Sequence, residues 1–109
     1  MAWEVAFLRE ALDDLRRLDG SVRTRVLKAI QKAASNPVSQ REGGYGKPLG
    51  RHGAVDLVGL FKIKLRSDGI RVVYRLERLE GRMLVVVVGV RTNDDVYDEA
   101  ARRRRRHGL

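Results

Sequence analysis

The stretch Phe61-Lys62-Ile63-Lys64-Leu65-Arg66-Ser67-Asp68-Gly69-Ile70-Arg71-Val72-Val73-Tyr74 decides how this chain folds. Its first six residues alternate apolar and cationic. Side chains on a strand point to opposite faces at period two. Phe61, Ile63 and Leu65 therefore share one face, and Lys62, Lys64 and Arg66 the other. Ser67-Asp68-Gly69 is a turn, with glycine free to take positive φ. Residues 70–76 return as the next strand and carry Arg71, Tyr74 and Arg75. Glu80-Gly81 makes a second hairpin turn. Residues 83–90 are almost uniformly apolar and β-branched, as expected of a central strand covered on both faces.

Upstream, residues 3–8 read as a strand that runs straight into a helix, whose apolar positions Leu8, Ala11, Leu12, Leu15 and Leu18 recur at helical spacing. Asp19-Gly20 breaks it. Ser21 can cap a second helix with Val22, Val26, Ala29, Ile30 and Ala33 as its stripe; Arg23, Arg25, Lys28 and Lys32 lie largely off it. Asn36-Pro37 ends that helix, because proline disfavours helical geometry in the residue before it. Residues 39–54 form a long glycine-rich connection holding Tyr45, Lys47, Arg51 and His52, read either as a binding loop or as a floppy surface loop. Downstream, Thr92 opens a last helix, with Asp95 three residues on as a capping-box-like pair. Val96, Tyr97, Ala100 and Ala101 are its apolar positions. The expected architecture is one α+β domain over residues 1–109: an N-terminal strand and helical hairpin packed on an antiparallel-rich sheet, a short C-terminal helix, and an arginine-rich tail at 102–109.

The chain of 109 residues carries a net charge of +9, and its pI is near 10.8. That balance points to a polyanionic partner. A 43% hydrophobic content argues against disorder. No apolar run is long enough for a membrane span, and the first ten residues lack the pattern of a secretory signal. With no cysteine, disulfides, thiolate metal sites and thiol nucleophiles are excluded. His52 and His107 stand in no metal-binding spacing. A cytoplasmic location is expected, with no membrane partner.

One constellation resists explanation by packing. Lys62, Lys64 and Arg66 alternate on a strand face, the hairpin partner brings Arg71 and Arg75 close, Arg91 ends the following strand, and Tyr97 follows in the last helix. Like charges on neighbouring strands repel, by a few tenths to about 1 kcal/mol per pair. A bound phosphate backbone would offset that repulsion. The competing reading is a solvated sheet face, which mixed charges would suit better than cations alone; for Arg66 and Arg75 singly the two stand level, as do core packing and function for Tyr97. The run Arg102, Arg103, Arg104, Arg105 and Arg106 also has two readings: contacts to nucleic-acid phosphates, with steep salt dependence, or cations at a helix C-terminus or frayed tail.

The stretch from Lys62 to Tyr74 resembles the signature of RelE-family toxins, and Val88-Gly89-Val90-Arg91 followed by Val96-Tyr97 resembles the family's C-terminal block. Weaker likeness covers most of the chain. The resemblance implies a microbial RNase-like fold and a toxin of a type II toxin–antitoxin system. Such a toxin is an mRNA interferase, a ribosome-dependent endoribonuclease that cuts mRNA in the A site and inhibits translation. In that family the RNA 2′-hydroxyl attacks the adjacent phosphate, giving a 2′,3′-cyclic phosphate and a free 5′-hydroxyl. Lys64 matches the family's general base and Arg91 its general acid. Lys62 and Arg71 match residues that stabilise the charged phosphorane, and Tyr97 the aromatic that stacks on or orients a base. No metal or other cofactor is implied. The partners implied are mRNA, the ribosome with its rRNA, and a small acidic antitoxin in a toxin–antitoxin hetero-oligomer.

This chemistry needs proton removal, proton donation and stabilisation of extra negative charge. A lysine can be the base only if its pKa falls well below about 10.4, and crowding by Lys62, Arg71 and Arg91 pushes Lys64 that way. Arginine barely deprotonates, so Arg91 is read mainly as an electrostatic clamp. Two alternatives stand beside this reading: a gyrase-poisoning toxin of the ParE type, which shares the fold, and a non-catalytic RNA-binding or regulatory domain.

Overall fold

A computed structural model of the chain describes residues 3–52, 55–90 and 95–109. β1 (Glu4–Phe7) leads directly into α1 (Arg9–Arg16), and α2 (Gly20–Ala34) folds back beside it. The short strands β2 (Lys47–Pro48), β3 (Arg51–His52) and β4 (Val55–Asp56) follow. Then come β5 (Leu60–Leu65), β6 (Ile70–Glu77), β7 (Arg82–Val90) and α3 (Asp95–His107). The main sheet has the order β1-β7-β6-β5-β2, and β3 and β4 form a separate ribbon. β1 runs parallel to β7, and the other main-sheet pairs are antiparallel. This is the α+β architecture expected. No described helix is long and apolar enough to cross a membrane.

The alternation on β5 divides the molecule into two cores. Phe61, Ile63 and Leu65 join Ile70, Val72 and Tyr74 beneath α1 and α2. Leu60 and Val73 face the other way, onto Val96, Tyr97, Ala100 and Ala101 of α3. β7 serves both cores, and a bulge explains its unbroken apolar run. The register slips between Val73, opposite Val87, and Tyr74, opposite Val85. The extra residue lets Val86 and Val87 both sit under α3, while Met83, Val85 and Val88 sit under α1 and α2. A bulge adds one residue to a strand and shifts its side-chain alternation.

Three local expectations change. Asp19, not Ser21, occupies the N-cap of α2, and it makes no side-chain cap bond. The helical turn is instead fastened by Arg23, whose guanidinium donates to the carbonyls of Leu15 (2.9 Å), Arg16 (3.1 Å) and Leu18 (2.8 Å). A helix end leaves four carbonyls without partners, and the arginine fork satisfies three carbonyls there. The connection at 39–54 is largely folded rather than floppy: it contains a 3₁₀ turn at Gln40–Glu42 and the strands β2 and β3. The arginine-rich stretch is no tail either, since α3 runs to His107. Thr92 lies outside the described residues, so its capping role does too.

Candidate active site

The strand pairing brings the central cations together. Lys64 is the register partner of Arg71, and Lys62 that of Val73, so Lys62, Lys64 and Arg71 share the sheet face that looks toward α3. The face is not uniformly wet. Lys62 and Arg71 are each only 9% exposed, because α3 lies over them; Lys64 beside them stays exposed. A buried cation needs a partner, and Tyr97 provides one. Its hydroxyl accepts from Lys62 Nζ at 2.9 Å and from Arg71 Nη1. Both cations also stand over its ring, 5.3 and 5.4 Å from the centroid, where the electron-rich face attracts them.

Tyr97 is 1% exposed, so in this arrangement it faces the protein's own cations and is closed to a nucleobase. Gly89 permits that close docking: a Cβ there would lie 2.9 Å from Val96 Cγ2. The helix is held by a second polar cluster. Asp14 of α1 accepts from Arg103 Nη1 (2.7 Å), Arg103 Nη2 (3.1 Å) and the Val88 amide (3.0 Å). Arg103 also donates to Glu99 (2.6 Å) and to the Val86 carbonyl (3.0 Å).

The remaining expected site residues separate. Arg66 lines the same groove as Lys62 and Lys64. Arg75 shares their face but pairs with Leu60 at the far end of the strands, about 13 Å from Arg71 at a rise near 3.3 Å per residue. It lines a separate depression with Arg104 and Leu109. The five arginines are not one RNA-facing patch. Arg103 is 6% exposed and fully engaged. Arg102 pairs with Glu99 at 2.8 Å, and Arg106 with Glu10 at 2.9 Å. Arg104 donates to the Leu109 carbonyl at 2.8 Å. Arg105 is exposed. Arg91 lies outside the described residues; the preceding residue, Val90, pairs with Ile70.

Lys47 was not among the expected site residues, yet the β2–β5 register sets it directly opposite Lys62. The Lys64 pKa is lowered chiefly by the charge of Lys62, then by that of Lys47, then by burial, with Arg71 and Arg66 contributing less. Of the crowding inferred from sequence, the parts of Lys62 and Arg71 are present, with Lys47 as an unforeseen second source; the part of Arg91 lies outside the described residues. The signal for it was faint: a cation beside Pro48 in a glycine-rich stretch, compatible with an edge strand because proline is tolerated at sheet edges. Arg103 had a clearer signal, since Val96, Ala100 and Arg103 fall at helical spacing on one face.

Known proteins resemble this chain over nearly all its length. The family model described as the ParE toxin of type II toxin–antitoxin system, parDE, matches residues 5–97. The mRNA interferase toxin RelE of Escherichia coli is 31% identical over 103 residues, covering 94% of this chain and 98% of that protein. A doubly substituted E. coli RelE toxin in the free state superposes with a TM-score of 0.73 at 30% identity, covering 94% of this chain and 98% of its own. The same toxin bound to a peptide of the antitoxin RelB superposes with a TM-score of 0.68 at 29% identity, covering 92% and 95%. With its sheet order, its cationic sheet face and these likenesses in agreement, the chain belongs to the RelE/ParE family of toxins of type II toxin–antitoxin systems.

Proposed function

We propose that this toxin is an endoribonuclease that cuts mRNA in the ribosomal A site, and that it works in the cytoplasm, where translation occurs. The observation that carries the reading is the convergence of Lys62, Lys64 and Arg71 on one sheet face, with Lys64 exposed and its pKa lowered by its cationic neighbours. The neutral amine of Lys64 takes the proton of the RNA 2′-hydroxyl, which attacks the adjacent phosphorus. Lys62 and Arg71 stabilise the charge that builds on the phosphorane oxygens, a task suited to fixed cations in a partly desolvated site. The P–O5′ bond breaks as the cyclic phosphate closes, with Arg91 clamping the charge on the departing oxygen, which takes a proton from solvent water to become the 5′-hydroxyl.

Tyr97 is engaged with Lys62 and Arg71 in the closed arrangement. Stacking on a base requires α3 to shift, releasing both cations toward the phosphate. The partner that controls this activity is a cognate antitoxin. The known relatives support that: RelE of E. coli is recorded both bound to an antitoxin peptide and within an intact RelBE toxin–antitoxin complex.

The ParE-type reading has the matching family model in its favour. Gyrase poisoning does not need the Lys62, Lys64 and Arg71 set, and the full-length curated likeness is to an mRNA interferase. Incubation with translating ribosomes followed by mapping of mRNA 5′ ends separates the readings. Cuts confined to the A site and abolished by Lys64→Ala are expected. DNA breaks or gyrase inhibition without such cuts would move the protein to the ParE type, and neither activity would leave an RNA-binding domain.

A further inference from the structure

Along the β5 edge, between α2 and the loop that carries Tyr45, the structure has a groove of about 400 Å³; Lys62, Ile63 and Lys64 form its β5 side, and its opposite wall is not catalytic. That wall includes Tyr45, Lys32 and Lys47. Tyr45 is 45% exposed, and Lys32 Nζ stands over its ring, 5.6 Å from the centroid. The loop that carries this exposed ring is built to hold it still. The Tyr45 amide donates to the Asn36 carbonyl (2.9 Å), Gly46 to Val38 (3.0 Å), and Gln40 back to Gly46 (2.8 Å). The glycines on both sides cannot be replaced without rearrangement. A Cβ on Gly44 would sit 2.1 Å from the Val38 carbonyl oxygen, and one on Gly46 2.3 Å from the Tyr74 hydroxyl. That hydroxyl in turn donates to the Pro37 carbonyl at 2.7 Å. A rigid aromatic ring among cations is the arrangement that binds single-stranded nucleic acid, with bases stacking on rings and phosphates drawn to lysines.

We infer that Tyr45 is a stacking platform for a nucleobase of the mRNA adjoining the scissile phosphate, with Lys32 and Lys47 binding the phosphate of that nucleotide. The inference rests on the ribonuclease reading above and adds a substrate subsite to it. The ring would fix the path of the strand past Lys64 and contribute to which sequences are cut. Tyr45 touches none of the reacting atoms, so it is a specificity and positioning residue.

The test uses ribosomes carrying an mRNA whose A-site riboses are 2′-O-methylated, which blocks attack and makes binding measurable. Each nucleotide around the cut is replaced in turn by an abasic one, and binding of wild type, Tyr45→Ala and Tyr45→Phe is compared. At one position the abasic change should weaken wild type roughly 5- to 150-fold. Tyr45→Ala should show a similar loss on the intact mRNA and no further loss at that position, and Tyr45→Phe should behave as wild type. If the two losses multiplied at every position, the ring would not be stacking on the message and the platform would be ruled out. In that event, A-site cleavage of unmethylated mRNA by wild type would leave the ribonuclease reading standing; a wild type that neither bound nor cut mRNA would remove both.

Discussion

The two faces of the central sheet are made by the same strands and have opposite characters. Toward α1 and α2, Phe61, Ile63 and Leu65 meet Ile70, Val72 and Tyr74, and the cover is two helices pressed on an apolar layer. Toward α3, the apolar contacts are confined to one half, and Lys62, Lys64 and Arg71 occupy the other. The first face is covered mainly by apolar packing, with the Arg25–Asp68 ion pair (2.7 Å) tying α2 to the β5–β6 turn. The second is closed by one helix, fastened by Tyr97 over the cations at one end and by Arg103 on Asp14 toward the other. The first face is thus given over to stability. The other keeps a charge arrangement that is unfavourable in the absence of a polyanion.

That contrast can be broken most directly at Lys64. Lys64→Ala should lower cleavage by about 10²- to 10⁴-fold, the usual worth of a positioned base, while the denaturation midpoint stays level or rises because a repelled charge is gone. A variant that unfolds more easily would contradict the division. Next in size is the α3 anchor. Asp14→Ala leaves Arg103 with Glu99 as its remaining carboxylate and the Val88 amide without its acceptor, a loss of about 3 kcal/mol, the low end for a broken buried pair; urea unfolding measures it. The matching change on the apolar face, Ile30→Ala, should cost about 2–5 kcal/mol yet leave the specific activity of the folded fraction intact.

A smaller effect tests the closure over the site. Tyr97→Phe removes the oxygen that accepts from Lys62 and Arg71, a loss of about 1–3 kcal/mol for donors left without their partner. Faster amide exchange along α3, with the sheet amides unchanged, should report it. Lys47→Met sharpens the electrostatics: removing one repelling charge lets Lys64 hold its proton to higher pH, so the rising limb of the pH–rate profile should move upward. The faintest signal lies at the far end of α3. There Glu10 is held at about 2, against an ordinary value of 4.5, first by its hydrogen bond with His107. Its folded-state pKa is depressed, so its contribution is full above pH 4.5 and fades as pH falls toward 2. Glu10→Gln should flatten that portion of an acid titration of stability.

Much of this was readable along the chain. The β5–β6–β7 meander is built from neighbouring residues, and its alternation and turn glycines are local signals. The co-location of Lys62, Lys64 and Arg71 follows once the hairpin at residues 66–69 is placed. What escaped was non-local. β2 is two residues long, too short for an alternation to register, and only its pairing with β5 sets Lys47 opposite Lys62. The bulge at Val86 depends on both cores competing for β7. Five adjacent arginines look alike as letters; helical phase and an aspartate 89 positions away single out Arg103.

By itself the sequence determined the class of fold and the cationic strand face, because strand periodicity and hairpin turns are written in adjacent residues. Tertiary structure alone decided which of those cations are buried, which one stays exposed beside repelling neighbours, and which arginine serves as an anchor. Burial and pairing depend on what a helix from the far end of the chain lays over the sheet, and no short-range pattern encodes that.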